Sequence, residues 1–155
     1  MNQPAYHLAQ INIGRLRAPL DDPRIAGFVD QLDPINALAD ESPGFVWRLQ
    51  SEAGDATSFR VFEDERILLN MSVWESMEAL QEYVYHSAHL GPLRDRKQWF
   101  DVPDKPHLAL WWIPAGHLPT PQEGKERLEH LRRHGPSPEA FTFKQPFPAP
   151  VEVTT

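Results

Sequence analysis

The residues of this chain best suited to chemistry are amides set on strand-like runs. Gln10 and Asn12 alternate with Ala9, Ile11 and Ile13, and Asn70, Ser72 and Trp74 alternate with Leu69, Met71 and Val73. Side chains two apart on a strand share a face. One run therefore presents Gln and Asn together, and the other presents Asn, Ser and Trp. If both faces look toward a layer of helices, amides line the floor of a cavity beside an indole. Buried amides demand hydrogen-bond partners. A bound ligand can supply them, and so can the amides themselves; the sequence leaves both readings open. A mainly apolar lining with a few polar groups is what a small-molecule site requires.

A second group of candidates lies on the helix that follows Trp74. Tyr83 and Tyr85 flank its apolar stripe, and Tyr85 precedes His89 by four residues, so phenol and imidazole can meet on one face. Such a pair can transfer a proton or simply pack. His86 and His89 sit about 60° apart around a regular helix. They could share a metal, but no Asp or Glu in an obvious metal pattern offers a third ligand. His86 also lies opposite the Met77, Leu80 and Val84 stripe, which predicts exposure. His117 sits in the connector PAGHLPT, either as part of a rigid link or at the mouth of the cavity. Trp111 and Trp112 must point to opposite faces of one strand and read as core anchors.

The elements that carry these residues follow from pattern. Tyr6–Arg15 alternates as a strand does. Asp22-Pro23 caps a helix with Ile25, Phe28, Val29 and Leu32 as its apolar stripe, and Asp33-Pro34 opens a second short helix that ends near Pro43-Gly44. Strands are expected at Phe45–Leu49, Thr57–Phe62 and Ile67–Trp74. Ser76 caps the next helix, Gly91-Pro92 interrupts it, and a further helix reaches Trp99. His107–Ile113 is a strand. Thr120-Pro121 with Glu123 opens the last helix as a capping box, and Gly135 closes it. Phe141–Phe143 is expected to add a short strand before a proline-rich end.

The resulting order, βαββαβ followed by a helix and a tail, is the α+β, ferredoxin-like pattern: an antiparallel sheet with helices on one face. The second sheet face is also apolar. Leaving it open is costly, so a homodimer packed sheet to sheet is expected. Residues 1–118 form the ferredoxin-like domain, and residues 119–155 form a helix and tail packed on it or on a partner protomer.

Composition sets the outer bounds. The 155 residues suffice for one domain with one core. Fifteen Lys and Arg against 22 Asp and Glu give a net charge of −7, which disfavours a nucleic-acid partner. The local basic strip Arg94, Arg96 and Lys97 reads as a solvated helix face. With no cysteine, disulfides, thiolate metal sites and a thiol nucleophile are excluded. No apolar run is long enough for a membrane helix, and MNQPAYHLAQ does not read as a secretory leader; a cytoplasmic address is expected. No glycine-rich phosphate loop supports a nucleotide cofactor.

Three blocks carry a family resemblance: SVWESMEALQEYVYHSAH (72–89), RKQWF (96–100) and LWWIPAGHLPTPQEGKERLEHLRRHGPSPEAFTF (110–143). The sequence resembles the dimeric α/β-barrel superfamily, best known through antibiotic-biosynthesis monooxygenases and IsdG-type haem-degrading enzymes. Within it, the chain resembles a bacterial family of unknown function. The resemblance implies a ferredoxin-like protomer and a barrel-like homodimer. It does not by itself transfer a function, because the superfamily hosts several chemistries; the first expectation is a small-molecule pocket with monooxygenase-like chemistry on an aromatic or polyketide-like substrate and no cofactor. The superfamily's pocket Asn, Trp and His are matched here by Asn12 or Asn70, Trp74 and His89; taken with the spacing and face arguments above, His89, Asn70, Trp74 and Tyr85 are the expected catalytic residues and Gln10, Asn12, Ser72, Tyr83 and His117 the expected substrate-binding ones. The local SAHLGPLR suggests an alternative, haem with His89 as axial ligand. A third reading is a non-catalytic dimeric ligand-binding or structural protein.

Overall fold

The computed structural model describes residues 6–18, 22–26, 32–49, 67–87, 100, 101 and 105–149. Four antiparallel strands form one sheet: β1 (Tyr6–Arg15), β2 (Phe45–Arg48), β3 (Ile67–Trp74) and β4 (Leu108–Pro114). Their order across the sheet is β2-β3-β1-β4. Among the described residues the helices are α1 (Leu32–Glu41), α2 (Met77–Ser87) and α3 (Pro121–His134), with a 3-10 turn at Pro23–Ile25. This is the ferredoxin-like α+β arrangement, and β1 and β3 hold its centre. The expected strand at Thr57–Phe62, the helix reaching Trp99 and the basic strip lie outside the described residues.

Local signals explain most boundaries. Asp22 Oδ1 accepts from the Arg24 amide at 2.8 Å, and Pro23 takes the first position of the 3-10 turn, where a missing N–H costs nothing. Ser76 Oγ accepts from the Ala79 amide at 3.1 Å and starts α2. Gly135 ends α3 at φ 76°, its N–H returning 2.9 Å to the Leu131 carbonyl. Helix α1 begins one residue before the expected Asp33 cap. The strand β4 runs from Leu108 rather than His107, although the His107 carbonyl still accepts from the Ile13 amide at 2.9 Å. Likewise β2 ends at Arg48, yet the Leu49 amide reaches the Met71 carbonyl at 2.9 Å.

Helices α1 and α2 cover one sheet face. Leu8, Trp74 and Leu110 of the sheet pack there with Ala39 and Leu80, joined by Phe45, Met77, Ala79 and Tyr83. The buried side of α2 is Met77, Leu80 and Tyr83, not the stripe that ends in Val84. Val84 is exposed, because the helix is rotated to lay Tyr83 over Trp74. Gly44 links the two helices to the sheet. Its φ of 81° is left-handed, and a Cβ there would collide with the Ala79 Cβ, so only glycine fits.

The other sheet face carries Ala9, Ile11, Ile13, Leu69, Met71, Val73, Ala109, Trp111 and Ile113, packed with Leu128 and Leu131 of α3. Ala9, Ile11, Met71, Val73 and Trp111 are fully buried within the single chain. The cover expected from a second copy is therefore provided by the chain's own last helix, and the physical reason for requiring a sheet-to-sheet homodimer falls away. The remaining faces of α3 are charged, as its sequence predicts. Two fully buried leucines contribute about 3–6 kcal/mol, which suffices to hold a helix otherwise suited to water.

After α3 the chain turns at Ser137–Ala140 and crosses the sheet edge. Phe141 and Leu110 exchange two backbone hydrogen bonds of 2.8 Å, so the expected added strand is a single bridge. Phe143 and Phe147 then pack on the α1/α2 side, and the Trp112 indole N–H donates to the Phe147 carbonyl at 2.8 Å. The tail lies along the body to Phe147, as its aromatic content suggests.

Gly124 sets how closely α3 approaches. A Cβ there would lie 2.9 Å from Ile11 Cδ1 and 3.0 Å from Met71 Sδ. Gly124→Val should overpack this contact and lower stability by about 1–3 kcal/mol, read as a reduced urea midpoint. An unchanged midpoint would show that α3 is not seated as described.

Candidate functional site

The amides face the α1/α2 layer, on the same side as Leu8 and Trp74. Cross-strand register brings them together: Gln10 lies opposite Ser72, and Asn12 opposite Asn70. A continuous hydrogen-bond network results. The Trp74 indole N–H donates to Ser72 Oγ at 2.8 Å. Gln10 Nε2 donates both to Ser72 Oγ at 2.8 Å and to Asn70 Oδ1 at 2.7 Å. Asn12 Nδ2 donates to Gln10 Oε1 at 3.0 Å and to Asn70 Oδ1 at 3.2 Å.

Burial is graded along this line. Trp74 is sealed at 0% exposure, Ser72 and Gln10 stand at 5% and 4%, Asn12 is half-buried and Asn70 is exposed. Among the described residues three groups of the network have no further partner: the Asn70 amide protons, Asn12 Oδ1 and the Ser72 hydroxyl proton. The exposed end thus offers a hydrogen-bond donor at Asn70 and an acceptor at Asn12. Among the described residues no charged side chain takes part in the network.

An aromatic cluster holds the buried end. The Trp74 and Tyr83 rings stack at 5.0 Å with 27° between planes, and Phe45 meets Trp74 edge-on at 5.4 Å. Trp74 is therefore enclosed, and it acts on anything bound at Asn70 only through Ser72 and Gln10. Burial pushes the Tyr83 phenol up to about 12; nearby Arg48 lowers it and Asp40 raises it to lesser degrees. Arg48 is itself tied to Asp40, with Nε 2.8 Å from Oδ1.

Tyr85, His86 and His117 are not brought to this place. Tyr85 is 64% exposed, its ring 5.7 Å from that of His86 on the outer side of α2. His86 is exposed as expected, with Nε2 3.2 Å from Glu82 Oε1. His89 lies outside the described residues, so the Tyr85 pairing and the haem reading that depend on it rest on sequence alone. Among the described residues no group of three His, Asp or Glu could hold a metal.

His117 belongs to the opposite side of the sheet. Its Nε2 lies 2.8 Å from Glu123 Oε1, while Glu123 Oε2 accepts from the Trp111 indole at 3.1 Å. Trp111 packs under α3, so His117 is anchored there rather than at the mouth of an amide cavity. Sequence reasoning missed this role of Glu123. The Thr120 cap does form, with Oγ1 accepting from the Glu123 amide at 3.1 Å. The Glu123 carboxylate, expected to turn back on the cap, serves the indole and the imidazole instead. Its spacing from Thr120 fitted a capping box and gave no signal of the second use.

The buried Tyr83 phenol ties stability to pH. A phenol pushed above its ordinary value of 10 keeps its proton in the folded chain while the unfolded chain loses it. The associated stability is present below pH 10 and declines as pH rises toward about 12. Tyr83→Phe should flatten this alkaline decline, measured by urea unfolding at a series of pH values. An identical slope in both proteins would contradict the buried phenol.

None of the described helices is long and apolar enough to cross a membrane. A comparison with curated proteins finds no match. Solved structures with a similar layout include SnoaB, a cofactor-independent oxygenase from Streptomyces nogalater, at 12% identity over 72% of this chain and 95% of that one, TM-score 0.47. They also include PA3566 from Pseudomonas aeruginosa, at 12% identity over 76% and 100%, TM-score 0.49. A third is NE2512, a protein of unknown function from Nitrosomonas europaea, at 11% identity over 76% and 97%, TM-score 0.45. Likeness at this level says nothing about chemistry. The family model described as a domain of unknown function, DUF3291, matches residues 7–155, and the chain belongs to that family.

Proposed function

We propose that the α1/α2 side of the sheet binds a small aromatic molecule at Asn70 and promotes its oxidation by molecular oxygen without a cofactor. The observation that supports this reading is the neutral network ending in an exposed amide donor. Such a site can orient a bound molecule and polarise one of its oxygens. Its amides take no proton at neutral pH and supply no nucleophile. A reaction suited to it draws its electrons from the substrate itself, as electron-rich phenols and their keto tautomers do. The resemblance of the SVWES and helix block to monooxygenases of the dimeric α/β-barrel superfamily agrees with that chemistry.

In this proposal Asn70 donates to the substrate oxygen, and Asn12 offers an acceptor beside it. Ser72 and Gln10 hold Asn70 in place, and Trp74 anchors them. Anthrone is a suitable probe. Its methylene becomes a carbonyl, one oxygen atom of O2 enters the product, and the other leaves as water with the two hydrogens lost. All four electrons come from the methylene carbon, so the equation balances without an added reductant.

The test is oxygen uptake with anthrone, paired with mass-spectrometric detection of anthraquinone. Uptake above the spontaneous rate is expected, and Asn70→Ala should reduce it about 100-fold, as loss of one polarising donor does. Binding of anthrone with no accelerated uptake would overturn the oxygenase reading and leave a ligand-binding protein.

A further inference from the structure

The network has a property that goes beyond binding. The oxygen and NH2 ends of a carboxamide have nearly the same shape and opposite hydrogen-bonding roles. As observed, Gln10 donates to Ser72 and Asn70 and accepts from Asn12. If the Gln10 amide turned over alone, its oxygen would face Asn70 Oδ1 across a 2.7 Å contact, two acceptors with no proton between them. Its NH2 would likewise face Asn12 Nδ2 across 3.0 Å. Neither arrangement is tolerable, so a turn of Gln10 requires Asn70 and Asn12 to turn with it.

The fully reversed network is self-consistent. Ser72 has an uncommitted proton and can give it to Gln10 Oε1, while still accepting from Trp74. Asn70 Nδ2 then donates inward to Gln10 Oε1 and Asn12 Oδ1, and Gln10 Nε2 donates to Asn12 Oδ1. Five hydrogen bonds are present before and after. The outward group changes: Asn70 shows a donor in the first state and an acceptor in the second. Terminal amide torsions are two-fold and soft, and Ser72 needs only rotation of its hydroxyl.

We infer that Gln10, Asn12 and Asn70 form a concerted amide switch, with the Ser72 hydroxyl as pivot. Through it, one site accepts either a phenol, which donates to Asn70, or a ketone, which accepts from Asn70. Gln10 is thereby a positioning residue, fully engaged and without a free group for the ligand. The inference rests on the site proposed above and extends it: the hydroxyl tautomer of a substrate docks on an outward Asn70 oxygen, while its keto form, the one Asn70 polarises, and a carbonyl product dock on the outward NH2.

Two bicyclic probes of similar shape test it, α-naphthol as donor and α-tetralone as acceptor, with affinities from isothermal titration calorimetry on the full chain. Wild type should bind both within about fivefold. Asn12→Asp is acceptor-only, at the half-buried end where a charge is tolerated. The oxygen that replaces Asn12 Nδ2 calls for inward NH2 groups from Gln10 and Asn70, which fixes the acceptor-out state. The variant's preference for α-naphthol over α-tetralone should rise about tenfold or more relative to wild type.

A parallel loss of both probes in a folded variant would overturn the switch and leave a plain structural role. Binding of only one probe by wild type would overturn it too, while sparing the site. Binding of neither would remove the site, and the switch with it.

Discussion

An indole N–H shut away from water has one proton to give and must find an acceptor. Trp74 gives it to Ser72, and the polar side of the sheet is organised from that bond outward. With Ser72 Oγ committed, Gln10 meets it from the neighbouring strand, and the two asparagines follow in register. The aromatic cluster of Trp74, Tyr83 and Phe45 keeps the inner end dry. The outer end is wet. A graded polar line of this kind is what lets neutral side chains carry orientation from the core to the surface.

The opposite face is organised by close approach. Gly124 removes the side chain that would hold α3 away from Ile11 and Met71, and two leucines then suffice to seat a largely charged helix. The Glu123 carboxylate fastens the same end of the helix to Trp111 and His117. The sheet thus lies between two layers that make different demands of it. The α1/α2 side tolerates amides because they satisfy one another. The α3 side is mainly apolar, and its Trp111 N–H reaches Glu123.

Much of this was legible in the sequence. The alternation in Tyr6–Arg15 and Ile67–Trp74 predicted both central strands to the residue. The Asp22, Ser76 and Thr120 caps formed because each side chain has a local target among the amides two or three residues ahead. The pairing of Gln10 with Ser72 was not legible, because register depends on non-local contacts. Only conditionally could the amides be placed on the helix side. The contact of His117 with Glu123 and the outward position of Tyr85 were not legible for a shared reason: spacing along one element says nothing of what another element brings opposite. The covering of the second face was missed because α3 looks like a surface helix, and its glycine reads as a weakness until Ile11 and Met71 are seen beneath it.

The segment from Ser137 to Phe147 leaves the α3 side, binds the outer strand through Phe141 and ends against Trp112 on the far side. Both layers are consequently buckled to the same edge by one length of chain. Peeling that segment away would bare the flank of β4 to strand addition and loosen the two layers together. Opening of either side is thereby coupled to the other, and the chain is expected to come apart as one cooperative unit.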